Sequence, residues 1–161
     1  MLNNMKKYLF ILLFILTACK SLGYSDYISG IDPSVKYGFN EIIRASTFEI
    51  VMLSHEVKIN EKHPDKIFIA VMFKITNISA PTSKINDLLR FATQTDTGPA
   101  KASLAARIMF SNTDSIDSIL TAGKSVEIVY AIEAQADSKI LTVVVDKAYK
   151  TDNPIYFEVK I

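Results

Sequence analysis

Apolar residues recur at alternate positions along most of this chain, the period of a strand that buries one face. Phe48, Ile50 and Met52 alternate with Glu49, Val51 and Leu53. The apolar phase then moves to odd positions at Val57 and Ile59, which predicts a bulge or bend near Ser54 to Glu56. After the polar turn NEKHPDK, the run KIFIAVMFKITNI places Ile67, Ile69, Val71, Phe73 and Ile75 on one face. Its other face begins Phe68, Ala70, Met72 and turns polar at Lys74 and Thr76. A strand apolar on both faces for half its length is central in a sheet and covered for that half. The two runs together predict a hairpin.

Further along, Leu89, Phe91, Thr93 and Thr95 alternate toward an Asp-Thr-Gly turn and predict a strand, although Ile85, Leu88, Leu89 and Ala92 also suit a helical face. KASLAARIMF, residues 101–110, favours a short helix through its alanines and the spacing of Leu104, Ala105, Ile108 and Met109, while its last residues suit a strand equally well. SVEIVYAIEA sets Val126, Ile128, Tyr130 and Ile132 on one face; KILTVVVDK is β-branched; PIYFEVKI sets Ile155, Phe157, Val159 and Ile161 inward, in phase to the last residue. Six to eight strands joined by short turns, with no internal repeat, predict an all-β antiparallel sandwich, with a five-stranded barrel as the structural alternative. Tyr130, Phe157 and Phe73 are read as core rather than as a ligand platform.

The N-terminus breaks this pattern. Lys6 and Lys7 precede the uncharged run YLFILLFILTA, Tyr8 to Ala18. A membrane span needs about 20 apolar residues, roughly twice this run, and polar residues follow at once. Basic start, short apolar middle and small residues before a cut describe an export signal over residues 1–18. Leu16-Thr17-Ala18-Cys19 resembles the lipobox of bacterial prolipoproteins, which implies a lipid on Cys19 as the new N-terminus. The alternative is an ordinary secretory signal with a cysteine near the cut by chance. Two or more acyl chains, each buried methylene adding about 0.8 kcal/mol, make such an anchor close to permanent. Residues 19–34 lack periodicity and hold two Gly, one Pro and four Ser, so they read as a tether to a domain over 35–161, with Tyr24, Tyr27 and Ile28 as candidates to dock on it.

Composition narrows the function. Of the 18 basic residues two lie in the signal, leaving 16 against 17 acidic ones. A near-neutral domain has no field to collect phosphates, so nucleic acid is not an expected partner. The single cysteine is assigned to the lipid, so stability must come from packing rather than a disulfide.

Three stretches in order carry a wider resemblance: TFEIVMLSHEVKI with KIFIAVMFKITNIS; LLRFATQTDTG; and LTAGKSVEIVYAIEA followed by two strands. With Asn77-Ile78-Ser79 closing a long strand, Asp96-Thr97-Gly98 as a turn and Leu120 to Gly123 before a strand, residues 35–161 resemble a widespread bacterial immunoglobulin-like family of unknown function. That family is related in fold to an immunoprotective extracellular antigen. The resemblance implies an immunoglobulin-like sandwich and a lipid-anchored or secreted address, and it implies no catalytic residue. KASLAARIMF is more alanine-rich than the family's usual loop.

The side chains point to no enzyme and no cofactor. There is no Gly-x-Ser-x-Gly elbow and no Gly-rich phosphate loop, and the only histidines are His55 and His63. HEVKINEKHPD gathers His55, Glu56, Glu61, His63 and Asp65 about a hairpin tip, a weak candidate for zinc or copper against the simpler reading of a solvated loop. Ser111, Asp114, Ser115 and Asp117 lack the glycine and terminal glutamate of a calcium loop. Asn77-Ile78-Ser79 fits a glycosylation sequon, which carries no weight behind a lipoprotein signal. The expected function is therefore a non-enzymatic cell-envelope lipoprotein, held at a membrane and presenting loops or a sheet edge to a protein partner. A protease-inhibitor-like module using the SAPTSK loop, and a small metal or ligand carrier using the His55–His63 loop, are the alternatives.

Overall fold

The apolar alternation between Phe48 and Asn77 builds the longest hairpin of the molecule. A computed structural model describes residues 35–45, 47–110, 114–147 and 150–161; the expected signal 1–18, Cys19 and the tether 19–34 lie outside them. Strand β1 (Ile43–Ala45) pairs with β2 (Phe48–Ile59), which runs antiparallel to β3 (Lys66–Asn77). Met52 faces Phe73 and Ser54 faces Met72, so Leu53 is the extra residue of a bulge, one position ahead of the expected stretch. The bulge moves the apolar phase from Ile50 and Met52, both buried, to Val57 and Ile59, which oppose Ile69 and Ile67 but are themselves exposed.

Segment 83–109 alternates short strands with two short helices. Strand β4 (Ser83–Lys84) leads into α1 (Ile85–Leu88), one helical turn, and then β5 (Leu89–Thr95). The strand reading therefore holds from Leu89 to Thr95, and of the helical alternative Ile85 and Leu88 lie in a helix while Leu89 and Ala92 lie in the strand. Strands β6 (Gly98–Pro99) and β7 (Lys101–Ala102) precede α2 (Leu104–Met109). The Ser103 hydroxyl accepts the Ala106 N–H and caps α2. The chain continues through β8 (Ile119–Leu120), β9 (Ser125–Gln135), β10 (Ile140–Lys147) and β11 (Lys150–Lys160).

Two sheets result, ordered β1-β2-β3-β9-β7 and β11-β10-β5-β6, with β4 and β8 forming a short ribbon. Taking β2, β3, β9 and β7 as A, B, E and D, and β11, β10, β5 and β6 as G, F, C and C′, this is the immunoglobulin arrangement. The expected antiparallel sandwich is observed, not the five-stranded barrel. Between the sheets, Phe73 meets Phe157 edge-on at 5.2 Å and Phe91 at 5.7 Å. The Tyr130 hydroxyl donates to the Phe91 carbonyl at 3.3 Å. Tyr130, Phe157 and Phe73 are all buried, as the alternation predicts.

β3 is central, between β2 and β9, and it is covered on its second face. That cover is α2: Ala106 is buried against Phe68 and Ala131, with Phe110 and Val129 at the margin. Two polar clamps close opposite loops. Buried Asn77 accepts the Ala80 N–H at 2.7 Å and donates to the Ala80 carbonyl at 3.0 Å, while its main chain bonds Lys124 and Gly123. Gly123 adopts a left-handed φ of 72° that favours glycine. Asp96 accepts the N–H groups of Lys139 and Ile140, tying the Asp-Thr-Gly turn to the β9–β10 loop.

Candidate interaction surface

The residues singled out for metal chemistry do not converge. His55 lies within β2, its ring stacked on Phe39 at 5.5 Å, whereas His63 lies in the hairpin turn. Four residue steps along the strand take His55 to Ile59, about 13 Å at the rise of a β-strand, before the turn begins. Glu56 pairs with Lys58 at 3.3 Å, and the Asp65 main-chain carbonyl accepts the Ala136 N–H. Among the described residues no group of three His, Cys, Asp or Glu side chains gathers as a metal site. Nearby, Lys66 donates to Glu133 at 2.7 Å, and that hydrogen bond and charge hold its ammonium above the usual lysine range.

The second acidic loop is engaged internally. Asp117 receives Asn86 at 2.8 Å and Arg107 at 3.3 Å, and Asp114 receives the Ser118 hydroxyl at 3.2 Å. The SAPTSK loop is drawn down at both ends: Ala80 is buried by the Asn77 clamp, and the Thr82 hydroxyl accepts the Ala122 N–H. The loop is thus pinned at Ala80 and at Thr82.

α2 departs from the expected pattern. Helices on globular domains bury their large apolar side chains and expose small or charged ones. Here the small Ala106 is buried, while Leu104, Ile108 and Met109 are 71%, 64% and 48% exposed. The close fit of Ala106 between Phe68 and Ala131 explains the orientation, because it presses the helix flat against the sheet and turns the larger neighbours out. Lys58 donates to the Met109 carbonyl and lies over the Phe110 ring at 4.4 Å, fixing the helix C-terminus.

Beside α2 lies a groove of about 200 Å³, floored by Val129 and Ala131 and walled by Ser103, Arg107, Ser115 and Asp117. Arg107 is held across it by bonds to the Ser115 hydroxyl at 2.8 Å and to Asp117. Small-molecule pockets usually enclose about 300–1,000 Å³, so this groove is smaller than most of them. Periodicity alone did not single out this surface. The cue was available only in combination: a helix of six residues too short to have two useful faces, on a strand already apolar on both sides.

No protein-family model matches the chain, and no curated protein matches it. Solved structures do. A candidate lipoprotein of Staphylococcus aureus is 16% identical, with 77% of this chain and 90% of that one covered at a TM-score of 0.55. A candidate lipoprotein of Bacillus subtilis is 10% identical over 74% of this chain, which spans only 38% of that protein, at a TM-score of 0.53. An uncharacterised β-sandwich protein of Clostridium difficile is 14% identical, with 78% and 95% covered, at a TM-score of 0.50. At such identities the likeness concerns the fold, a β-sandwich.

Proposed function

We propose that this protein is a non-enzymatic lipoprotein of the bacterial cell envelope, fixed to a membrane through Cys19 and holding its sandwich outside the cytoplasm, with the α2 surface as the contact for a protein partner. The anchor is supported by Leu16-Thr17-Ala18-Cys19 after an apolar run too short to span a bilayer, and by two structural neighbours described as candidate lipoproteins. The observation that carries the interaction is the outward set Leu104, Ile108 and Met109 beside the apolar-floored groove. Contiguous exposed apolar surface is disfavoured on a free domain and marks contact with another molecule. The Arg107–Asp117 pair at the rim offers an oriented hydrogen-bonding group to a peptide whose apolar side chain fills the groove. A partner other than nucleic acid follows from the near-neutral charge.

One experiment reads both halves. Cells fed labelled palmitate express the chain with a photo-crosslinking residue at Ile108. The label is expected on the parent and absent from Cys19→Ala. A discrete adduct is expected at Ile108, lost on Leu104→Asp and absent with the crosslinker at Glu158. Equal labelling of Cys19→Ala overturns the anchor; an adduct indifferent to Leu104→Asp overturns the surface.

A further inference from the structure

Strand β2 leaves an edge open. β1 pairs with it only from Phe48 to Ile50, and the Asn40 N–H takes the Met52 carbonyl at 2.8 Å. Among the described residues no strand continues along the outer edge from Leu53 to Ile59. Natural sheets blunt such edges with charge, bulges or covering loops. This one has a bulge, yet beyond it Val57 is 38% and Ile59 69% exposed on one face, while Glu56 and Lys58 stand on the other.

We propose that two copies of the chain pair antiparallel along this edge, about a two-fold axis perpendicular to the sheet and centred on Val57. The register follows from charge. Such an axis sets a residue opposite one of the same face, so the centre must fall on a residue. Centred on Val57, Glu56 faces the partner's Lys58 and Lys58 faces the partner's Glu56. Centred on Glu56 or on Lys58, like charges face each other directly, which is destabilising. On the other face the same register sets Val57 against the partner's Val57 and Ile59 against the partner's His55. The partner's Phe39 already stacks on that His55. One arrangement thus complements both charges and covers three exposed apolar side chains, Phe39, Val57 and Ile59. It ends at His55, short of the edge position that Asn40 occupies.

Five paired residues form less than the roughly 1,000 Å² of a stable interface, so the dimer is weak in dilute solution and gains from confinement at a surface, where local concentration is high. For its local concentration the pairing rests on the anchored reading above, and Lys58 also bonds its own Glu56 and the Met109 carbonyl at the end of α2. The Val57→Cys rate, read in a chain that keeps Cys19, Lys58 and the α2 groove intact, is the outcome separable from the function proposed above.

The test is disulfide trapping of the full chain in its own envelope. Opposed strand residues lie about 4.5–5.5 Å apart between Cα atoms, within disulfide reach. Val57→Cys is therefore expected to cross-link with itself about tenfold or more faster than His55→Cys or Ile59→Cys alone, whose own copies stand about 13 Å apart, outside that reach. Co-expressed His55→Cys and Ile59→Cys are expected to form the mixed disulfide. Adding Glu56→Lys should suppress the Val57→Cys dimer, and adding Lys58→Glu to that variant should restore it. The parent chain, with Cys19 alone, controls for the native thiol. Cross-linking of Val57→Cys no faster than of Ile59→Cys, or insensitive to Glu56→Lys, overturns the pairing, as does a trapped adduct with a different protein.

Discussion

Asp96 shows how much one exposed carboxylate organises here. Its Oδ1 accepts the Lys139 N–H at 3.0 Å and the Ile140 N–H at 3.2 Å, so the turn after β5 is bonded to the start of β10. The Lys139 bond, then the Ile140 bond, hold its carboxyl below the usual carboxylate range, against a smaller opposing effect of burial. A carboxyl with a lower pKa in the folded state than in the unfolded chain binds fewer protons when folded. It therefore stabilises the fold above the ordinary value near 4 and loses that contribution as pH falls through the depressed folded value. Asp96→Asn keeps an acceptor but does not titrate. Urea midpoints of parent and Asp96→Asn are expected to differ most at neutral pH and to converge as pH drops below about 4. A constant difference across that range would show that the charge is immaterial.

At the scale of elements, Asn77 explains why two separate sequence marks occur in one protein. The strand-ending Asn-Ile-Ser and the Leu-x-x-Gly before β9 are neighbours in space: Asn77 N–H reaches the Lys124 carbonyl at 2.9 Å, and Gly123 N–H reaches the Asn77 carbonyl at 2.8 Å. The side chain meanwhile holds both main-chain groups of Ala80. Replacing it with alanine leaves buried groups unpaired, each costing about 1–3 kcal/mol, so Asn77→Ala is expected to lose about 2–4 kcal/mol in chemical denaturation. Asn77→Asp can accept the Ala80 N–H but has no donor for the Ala80 carbonyl, and it buries a charge, so it should fare no better. Loss of less than about 0.5 kcal/mol, the range of ordinary surface changes, would mean the clamp is not structural. The hairpin, β9, β10 and β11 were legible in the sequence because their side chains alternate against one core over most of their length. The bulge at Leu53 was legible as a change of phase, and the Asp96 turn as a motif. The identity of α2 was legible, but its orientation was not. Leu104, Ala105, Ile108 and Met109 at helical spacing predict a helix but do not say which side it buries, and it is Ala106 that packs against Phe68. The edge of β2 was equally hidden, since strand order is a long-range outcome that local alternation does not encode.

For the whole molecule the question is what joins the two sheets. A single cysteine cannot close a disulfide within the chain, whereas antibody-type domains tie strand B to strand F that way. Here the B-position strand β3 contributes Phe73, fully buried, to an aromatic bridge with Phe91 on β5 and Phe157 on β11. Every ring in it belongs to a strand of one sheet and touches the other, so the main core is shared by both sheets; apart from it there is only the small cluster of Phe68, Ala106 and Ala131 under α2. Removing the central ring with Phe73→Ala should cost about 3–5 kcal/mol, a large share of the roughly 5–15 kcal/mol typical of a domain. Phe73→Leu, which leaves a smaller cavity, should cost less. Both variants should unfold in one transition, with far-ultraviolet and near-ultraviolet circular dichroism coinciding along a urea series. Reductant should leave the midpoint where it was. Two separated transitions, or a cost near zero for Phe73→Ala, would place the junction between the sheets elsewhere than in these three rings.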